Sequence, residues 1–266
     1  MRHNRLPRLV TSLLTLFFGL ALFAPLPFVV LTPGHAQDVL HGVISPAKGS
    51  NTETKFYSSD GHIYLLSILI TNPDAYVTGA ELIYSWIRSD YSVMPRSLFY
   101  RDGTSAATEK VIAKTQMDGS QSSAKTAALK FLTSNYPELN TNSMKPSDIA
   151  IALDKTGGPS GGLAFALGIV EVLTPENILR GRSVASTGTI DEDGNVGGIG
   201  GVAEKILAAR KAGATLILVP ESNCKDLAPR VATIPKGIKI AAVNTLKEAI
   251  TALNSAAPRG CANLGA

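Results

Sequence analysis

The sequence predicts a mixed α/β (α+β) protein that follows an N-terminal transmembrane helix, and three observations carry that expectation. No Asp, Glu, Lys or Arg occurs from residue 9 to residue 37, and residues 9–31 are almost wholly apolar. From residue 148 onward, strand-like and helix-like segments alternate, which is the pattern of an α/β domain. The 266 residues are 45% hydrophobic and 17% charged, enough to bury one substantial core and too apolar for a disordered chain. The net charge of +4 draws on Arg2, Arg5 and Arg8 at the extreme N-terminus, not on a basic face, so no nucleic-acid partner is expected.

Taken in chain order, residues 9–31 are long enough to cross a bilayer of roughly 30 Å. Arginines before this run and Asp38 after it put the N-terminus in the cytoplasm and the rest outside. The expectation is therefore a single-pass cell-membrane protein with residues 1–37 as its anchor. A cleaved signal peptide is the alternative, with Gly34-His35-Ala36 as the small-residue cleavage site and a secreted product. The run exceeds the roughly 7 to 15 residues of an h-region, which favours the anchor, while Pro25 and Pro27 count against it.

Residues 62–70 read as a strand, and residues 76–88 as a helix with Ile83, Trp86 and Ile87 in the core. Residues 105–132 favour helix, with a break expected at Asp118-Gly119-Ser120. A polar linker spans 136–146. Residues 38–147 thus form a strand/helix region that packs on a domain at 148–254, with 255–266 as a tail. In that domain, strands are expected at 149–153, 183–190, 215–219 and 238–243, and helices at 161–173, 201–212 and 245–253. The first of these helices is apolar apart from Glu171 and must be buried. The turn Asp191-Glu192-Asp193-Gly194-Asn195 suggests a hairpin within 187–199. Cys224 and Cys261 are the only cysteines. An extracytoplasmic location permits a bridge between them, and two independent thiols remain an equal alternative.

The segment Thr156-Gly157-Gly158-Pro159-Ser160-Gly161-Gly162 stands between a strand and a helix. Its glycines let backbone approach a ligand, and Ser160 sits where unpaired N–H groups of the helix start converge, able to hold an oxyanion. A glycine-rich turn with Ser160 as N-cap explains the segment equally well. A serine nucleophile needs a base, yet the histidines are His3, His35, His41 and His62, all far upstream. The remaining common base is a lysine kept neutral by burial. Lys205 is the candidate: its helical phase falls between Val202 and Ala209, beside Ile206, with Glu204 and Lys211 pointing the other way. A snorkelling lysine with its ammonium in water is the competing reading.

The ordered set Gly158-Pro159-Ser160-Gly161-Gly162, Thr187-Gly188-Thr189-Ile190, Gly194-Asn195-Val196, Ile199-Gly200-Gly201-Val202-Ala203-Glu204-Lys205 and Val219-Pro220 closely resembles the proteolytic domain of the Lon proteases, serine peptidases of family S16. The resemblance covers about residues 148–254. It implies a ribosomal protein S5 domain 2-like fold and a Ser–Lys dyad peptidase: Ser160 as nucleophile, Lys205 as base, Thr187 holding the lysine amine, and Gly158, Pro159 and Gly161 shaping the loop. No cofactor or metal is implied. The partners would be protein or peptide substrates, the membrane through the N-terminal helix, and, left open, a homo-oligomer.

The N-terminal arrangement resembles bacterial membrane-anchored Lon-domain proteins that usually carry a PDZ module. Residues 133–147 leave too little room for one before the domain. The sequence contains no GxxxxGK[ST] P-loop for an ATPase. Cytoplasmic Lon enzymes often have an acidic residue at the position of Gly157 and Ala at that of Gly161. The expected activity is ATP-independent endopeptidase hydrolysis outside the cytoplasmic membrane. A catalytically silent Lon-fold scaffold and a small-molecule kinase are the other classes. Ser122-Ser123-Ala124-Lys125 and Lys155-Thr156-Gly157 also match penicillin-binding-protein motifs, but they lie close together with no S-D-N between them.

Overall fold

The apolar N-terminal run does not stay helical. In the computed structural model, which describes residues 7–50, 54–153, 156–227 and 235–261, helix α1 (Arg8–Phe23) ends before Pro25, and Ala24 is already extended at φ −63°, ψ 139°. Pro25 and Pro27 cannot donate to a helical ladder and push their preceding residues out of the helical region. The chain continues as strands β1 (Pro25–Leu26) and β2 (Phe28–Asp38). At 1.5 Å per residue, 16 residues of α1 reach about 24 Å, short of the roughly 30 Å hydrocarbon core. Among the described residues no helix is long and apolar enough to cross a membrane. The expected transmembrane anchor is therefore corrected, and with it the single-pass localisation and the membrane as a partner. Arg2 and Arg5, which set the expected orientation, lie outside the described residues.

The chain forms two compact units, Met1–Thr32 with Leu69–Ala106, and Pro33–Ile68 with Ala107–Ala266. In the first, β1 pairs antiparallel with β5 (Val77–Thr78), and the start of β2 pairs antiparallel with β6 (Ser92–Pro95), Phe28 opposite Pro95 and Leu31 opposite Ser92. Helix α2 (Gly79–Ile87) starts on a capping box in which Thr78 and Glu81 satisfy each other's backbone N–H. Gly79 is required by proximity, since a Cβ there would run into the Ala21 carbonyl oxygen of α1. Ile83, Trp86 and Ile87 do not form the expected core: they are 48%, 72% and 78% exposed, while Leu82 is buried.

The second unit is built on a sheet in the order β12 (Lys239–Val243), β11 (Leu216–Pro220), β8 (Ser183–Ser186), β4 (His62–Ile70), β2, in which the first four run parallel. Successive side chains of a strand point to opposite faces, and here both faces are buried. Leu216, Leu218, Val184, Ala241 and Val243 join one apolar cluster with helices α3 (Ala106–Asn135), α4 (Gly162–Leu173) and α7 (Leu246–Asn254). Ile217, Val219, Ala185 and Ala242 join the other with α5 (Val202–Lys211) and α6 (Cys224–Leu227). Such double coverage is what the near-continuous apolar strands demand.

Every residue of α4 is buried, including Glu171, whose carboxylate accepts from Ser59 Oγ at 2.6 Å and from the Ile178 N–H at 3.2 Å. Strand β7 (Ile149–Ile151) lies outside the main sheet and pairs antiparallel with β3 (Ile44–Pro46). The hairpin around residues 191–195 is present as β9 (Thr189–Ile190) and β10 (Val196–Gly197). The break expected at Gly119 is absent. One helical glycine costs about 1 kcal/mol, and burial of Met117, Ser120, Ala124, Ala127, Ala128 and Leu132 on α3 outweighs it. Cys224 and Cys261 form a disulfide with Cα atoms 5.4 Å apart.

Candidate active site

Three elements of the second unit pin the glycine-rich loop. The Gly158 N–H donates to the Ala113 carbonyl of α3 at 2.9 Å, and Ser120 Oγ donates to the Pro159 carbonyl at 2.9 Å. Gly158 has φ +88°, a conformation that favours glycine. A Cβ on Gly161 would come within 2.6 Å of Leu65 on β4, and one on Gly162 within 2.9 Å of Ile190 on β9. The glycines thus let the loop press against α3, β4 and β9 at once. Ser160 does not cap α4, whose N-cap is Gly161 with no side-chain cap. Instead its carbonyl accepts the Gly188 N–H at 2.9 Å and Thr187 Oγ1–H at 3.3 Å, which fixes the residue while its hydroxyl stays partly exposed. Of the N–H groups around the loop, that of Leu163 donates to Gly188 at 3.1 Å and that of Gly162 to Pro159 at 3.4 Å. Those of Ser160 and Gly161 meet no acceptor among the described residues.

The lysine arrives from the other side. Helix α5 starts after Gly201, held at φ +65°, and the Lys205 N–H donates to the Gly201 carbonyl at 3.0 Å. This first turn points Lys205 inward, so that it is 2% exposed. Its Nζ lies 2.7 Å from Ser160 Oγ and 3.2 Å from Thr187 Oγ1. Thr187 is fully buried. Burial disfavours the ammonium form and lowers the Lys205 pKa to about 7. The snorkelling alternative is excluded by this burial, and the N-cap alternative by Gly161.

The structure therefore brings Ser160, Lys205 and Thr187 into contact and makes Gly158, Pro159 and Gly161 the scaffold of the serine. Glu204 departs from expectation: it is 3% exposed rather than turned away, because α5 is buried on both flanks, from Val202 to Ala209. Lys211 is exposed, as its phase requires. Sequence reasoning missed Ser120, which reads as part of a helix break and carries no local signal of a contact 39 residues away. It also missed Leu65, an ordinary strand residue that becomes the floor of the loop. Lys155 of the alternative motif lies outside the described residues.

A hydroxyl held against a buried amine of lowered proton affinity, on a strand–loop–helix frame, is the arrangement of a serine hydrolase. Residues 105–255 match the family model of the Lon protease (S16) C-terminal proteolytic domain, and the chain belongs to that family, whose members are serine-type endopeptidases. It is 35% identical over 131 residues to the Lon protease of Neorickettsia sennetsu, covering 47% of this chain and 16% of that one. It is 35% identical over 147 residues to Lon protease 2 of Bacillus subtilis, covering 52% and 26%. Over 93 residues it is 42% identical to the Lon protease of Rhizobium meliloti, covering 35% and 11%. The matched segment is thus 11% to 26% of the length of these relatives.

Proposed function

We propose that the chain is a Ser–Lys dyad endopeptidase that hydrolyses extended or unfolded polypeptide without nucleotide. The observation that carries the reading is the 2.7 Å contact between Lys205 Nζ and Ser160 Oγ in a site that buries the lysine. In the neutral form, the amine accepts the Ser160 hydroxyl proton and donates one N–H to Thr187 Oγ1. Thr187 in turn donates its own hydroxyl to the Ser160 carbonyl, which leaves its oxygen to accept from the amine. As Oγ attacks the scissile carbonyl, its proton passes to Lys205 Nζ and an oxyanion forms. The N–H groups of Ser160 and Gly161 are the donors best suited to hold it. The lysine ammonium then gives its proton to the departing amine, leaving an acyl ester on Ser160. Water, deprotonated by Lys205, attacks that ester, the bond to Ser160 Oγ breaks to release the carboxyl product, and the lysine returns its proton to Oγ.

Independence from nucleotide rests on the sequence, which contains no P-loop. The test is hydrolysis of a labelled unfolded protein by the full chain, with and without ATP. Ser160→Ala and Lys205→Arg are each expected to lower the rate at least about a thousandfold, and ATP to leave it unchanged. Arg cannot serve because its guanidinium stays protonated. Wild-type rates in Ser160→Ala would remove that residue from the mechanism, and activity in Lys205→Arg would require another base.

A further inference from the structure

A second group of chemistry-bearing side chains is unused by the peptidase reading. Asp38 ends β2, His41 stands in the turn that follows, and His62 begins β4, and their ligand atoms all lie within 4.8 Å of one another. Asp38 Oδ2 meets both imidazoles, His62 Nδ1 at 2.6 Å and His41 Nδ1 at 2.7 Å. Its other oxygen accepts the Leu40 N–H at 3.0 Å, which fixes the carboxylate from behind, as the outer shell of a metal ligand commonly does. The backbone below is rigid: the Val39 N–H donates to the Ile63 carbonyl at 2.9 Å and the His62 N–H to the Arg182 carbonyl at 3.0 Å. Val39 and Ile63 are core residues. Tyr64 stacks on His62 with planes 3° apart. The side chains of His41 and His62 are 54% and 41% exposed, so an ion and its water ligands can enter.

We propose that Asp38, His41 and His62 bind a zinc-like divalent transition-metal ion, with water completing its coordination. Two imidazoles and one carboxylate suit zinc and its neighbours in the first transition row, whereas magnesium and calcium prefer oxygen ligands throughout. Ligand bonds of about 2.0–2.2 Å in a tetrahedral site set the ligand atoms about 3.4 Å apart. The present contacts need to open by less than about 1 Å, which rotation of two half-exposed rings supplies. On binding, each neutral imidazole presents the lone pair of its Nδ1 to the ion and carries its single proton on Nε2, so the carboxylate and both rings face the metal without loss of a ring proton. The role is structural: the ion joins the turn after β2 to the start of β4, the strand whose Leu65 supports the loop at Gly161.

The test uses the full chain carrying Ser160→Ala, freed of metal by chelation and titrated with Zn²⁺ and with Co²⁺. Expected are one equivalent of tight binding, visible d–d bands from Co²⁺, and a melting temperature raised by several degrees. His41→Gln, His62→Gln and Asp38→Asn should each weaken binding at least about tenfold and abolish the rise in melting temperature, and His35→Gln should leave both intact. His41→Gln alters an exposed side chain, so it keeps the test open if Asp38→Asn fails to fold. Absence of saturable binding, binding unchanged in these three variants, or equal competition by Mg²⁺ would overturn the proposal.

Discussion

Burying an ammonium group costs free energy, and at Lys205 that cost lowers the pKa into the range that the proposed base requires near neutral pH. Its pKa falls from the ordinary 10.5 to about 7 through desolvation, so peptidase activity should rise with pH along a single limb centred near 7, without a histidine. A pH–rate profile of kcat/KM checks this. The same shift has a signature in stability. Between about pH 7 and about pH 10.4 the unfolded chain binds a proton on Lys205 that the folded chain does not, so stability rises with pH across that window. Lys205→Met removes the titrating group. It should gain on the order of 4 kcal/mol over wild type at pH 6, with the advantage shrinking towards pH 10, as denaturant melts at the two pH values would show. A gain independent of pH would mean the lysine is not desolvated. Thr187→Val should lower kcat and leave KM near wild type, because in the proposed mechanism the buried threonine holds the base and not the substrate. The helical phase of Lys205 beside Val202, Ile206 and Ala209 left burial and snorkelling both open in the sequence, and the ordered motifs that resemble the Lon proteolytic domain singled the lysine out. The burial of Glu204 was not legible, since it depends on both flanks of α5 being covered.

At the scale of elements, the glycines divide by what surrounds them. Gly162→Ala would place a Cβ 2.9 Å from Ile190 Cγ2 and 3.0 Å from the Ile190 backbone nitrogen, a contact that rigid backbone cannot yield to cheaply. It should cost about 1–3 kcal/mol and lower activity by moving Ser160. Gly119→Ala on the exposed face of α3 meets nothing within 4 Å and should stabilise by about 0.5–1 kcal/mol. Urea titrations of the two variants test the pair, and a neutral Gly162→Ala would show that the loop is not pinned. Helix α4 was legible because uniform apolarity admits only burial. The N-terminal run misled because hydropathy alone carries no length limit, and Pro25 and Pro27 end α1 after Phe23. Trp86 and Ile87 misled in the opposite sense, since nothing local tells which face of a short apolar helix is covered.

Across the whole molecule, the catalytic candidates come from three separate stretches of the chain, the loop before α4, the end of β8 and the start of α5. The sheet of the second unit, covered on both faces, holds them in register. That convergence was legible only through the resemblance of ordered motifs, because pairing of β8 with β4 and β11 is long-range and leaves no trace in local periodicity. The Cys224–Cys261 bridge links residues 37 apart and should contribute about 4 kcal/mol in the chain-entropy model. Cys261→Ser should lower the denaturation midpoint accordingly, and an unchanged midpoint would show that the bridge adds nothing. The dyad itself is tested most directly by reacting the intact protein with a serine-directed phosphonate at a series of pH values and mapping the adduct by peptide mass spectrometry. The account predicts a single adduct on Ser160, formed at a rate that rises with pH around a midpoint near 7 and lost in Lys205→Arg. An adduct on another residue, or a midpoint near 10, would contradict it.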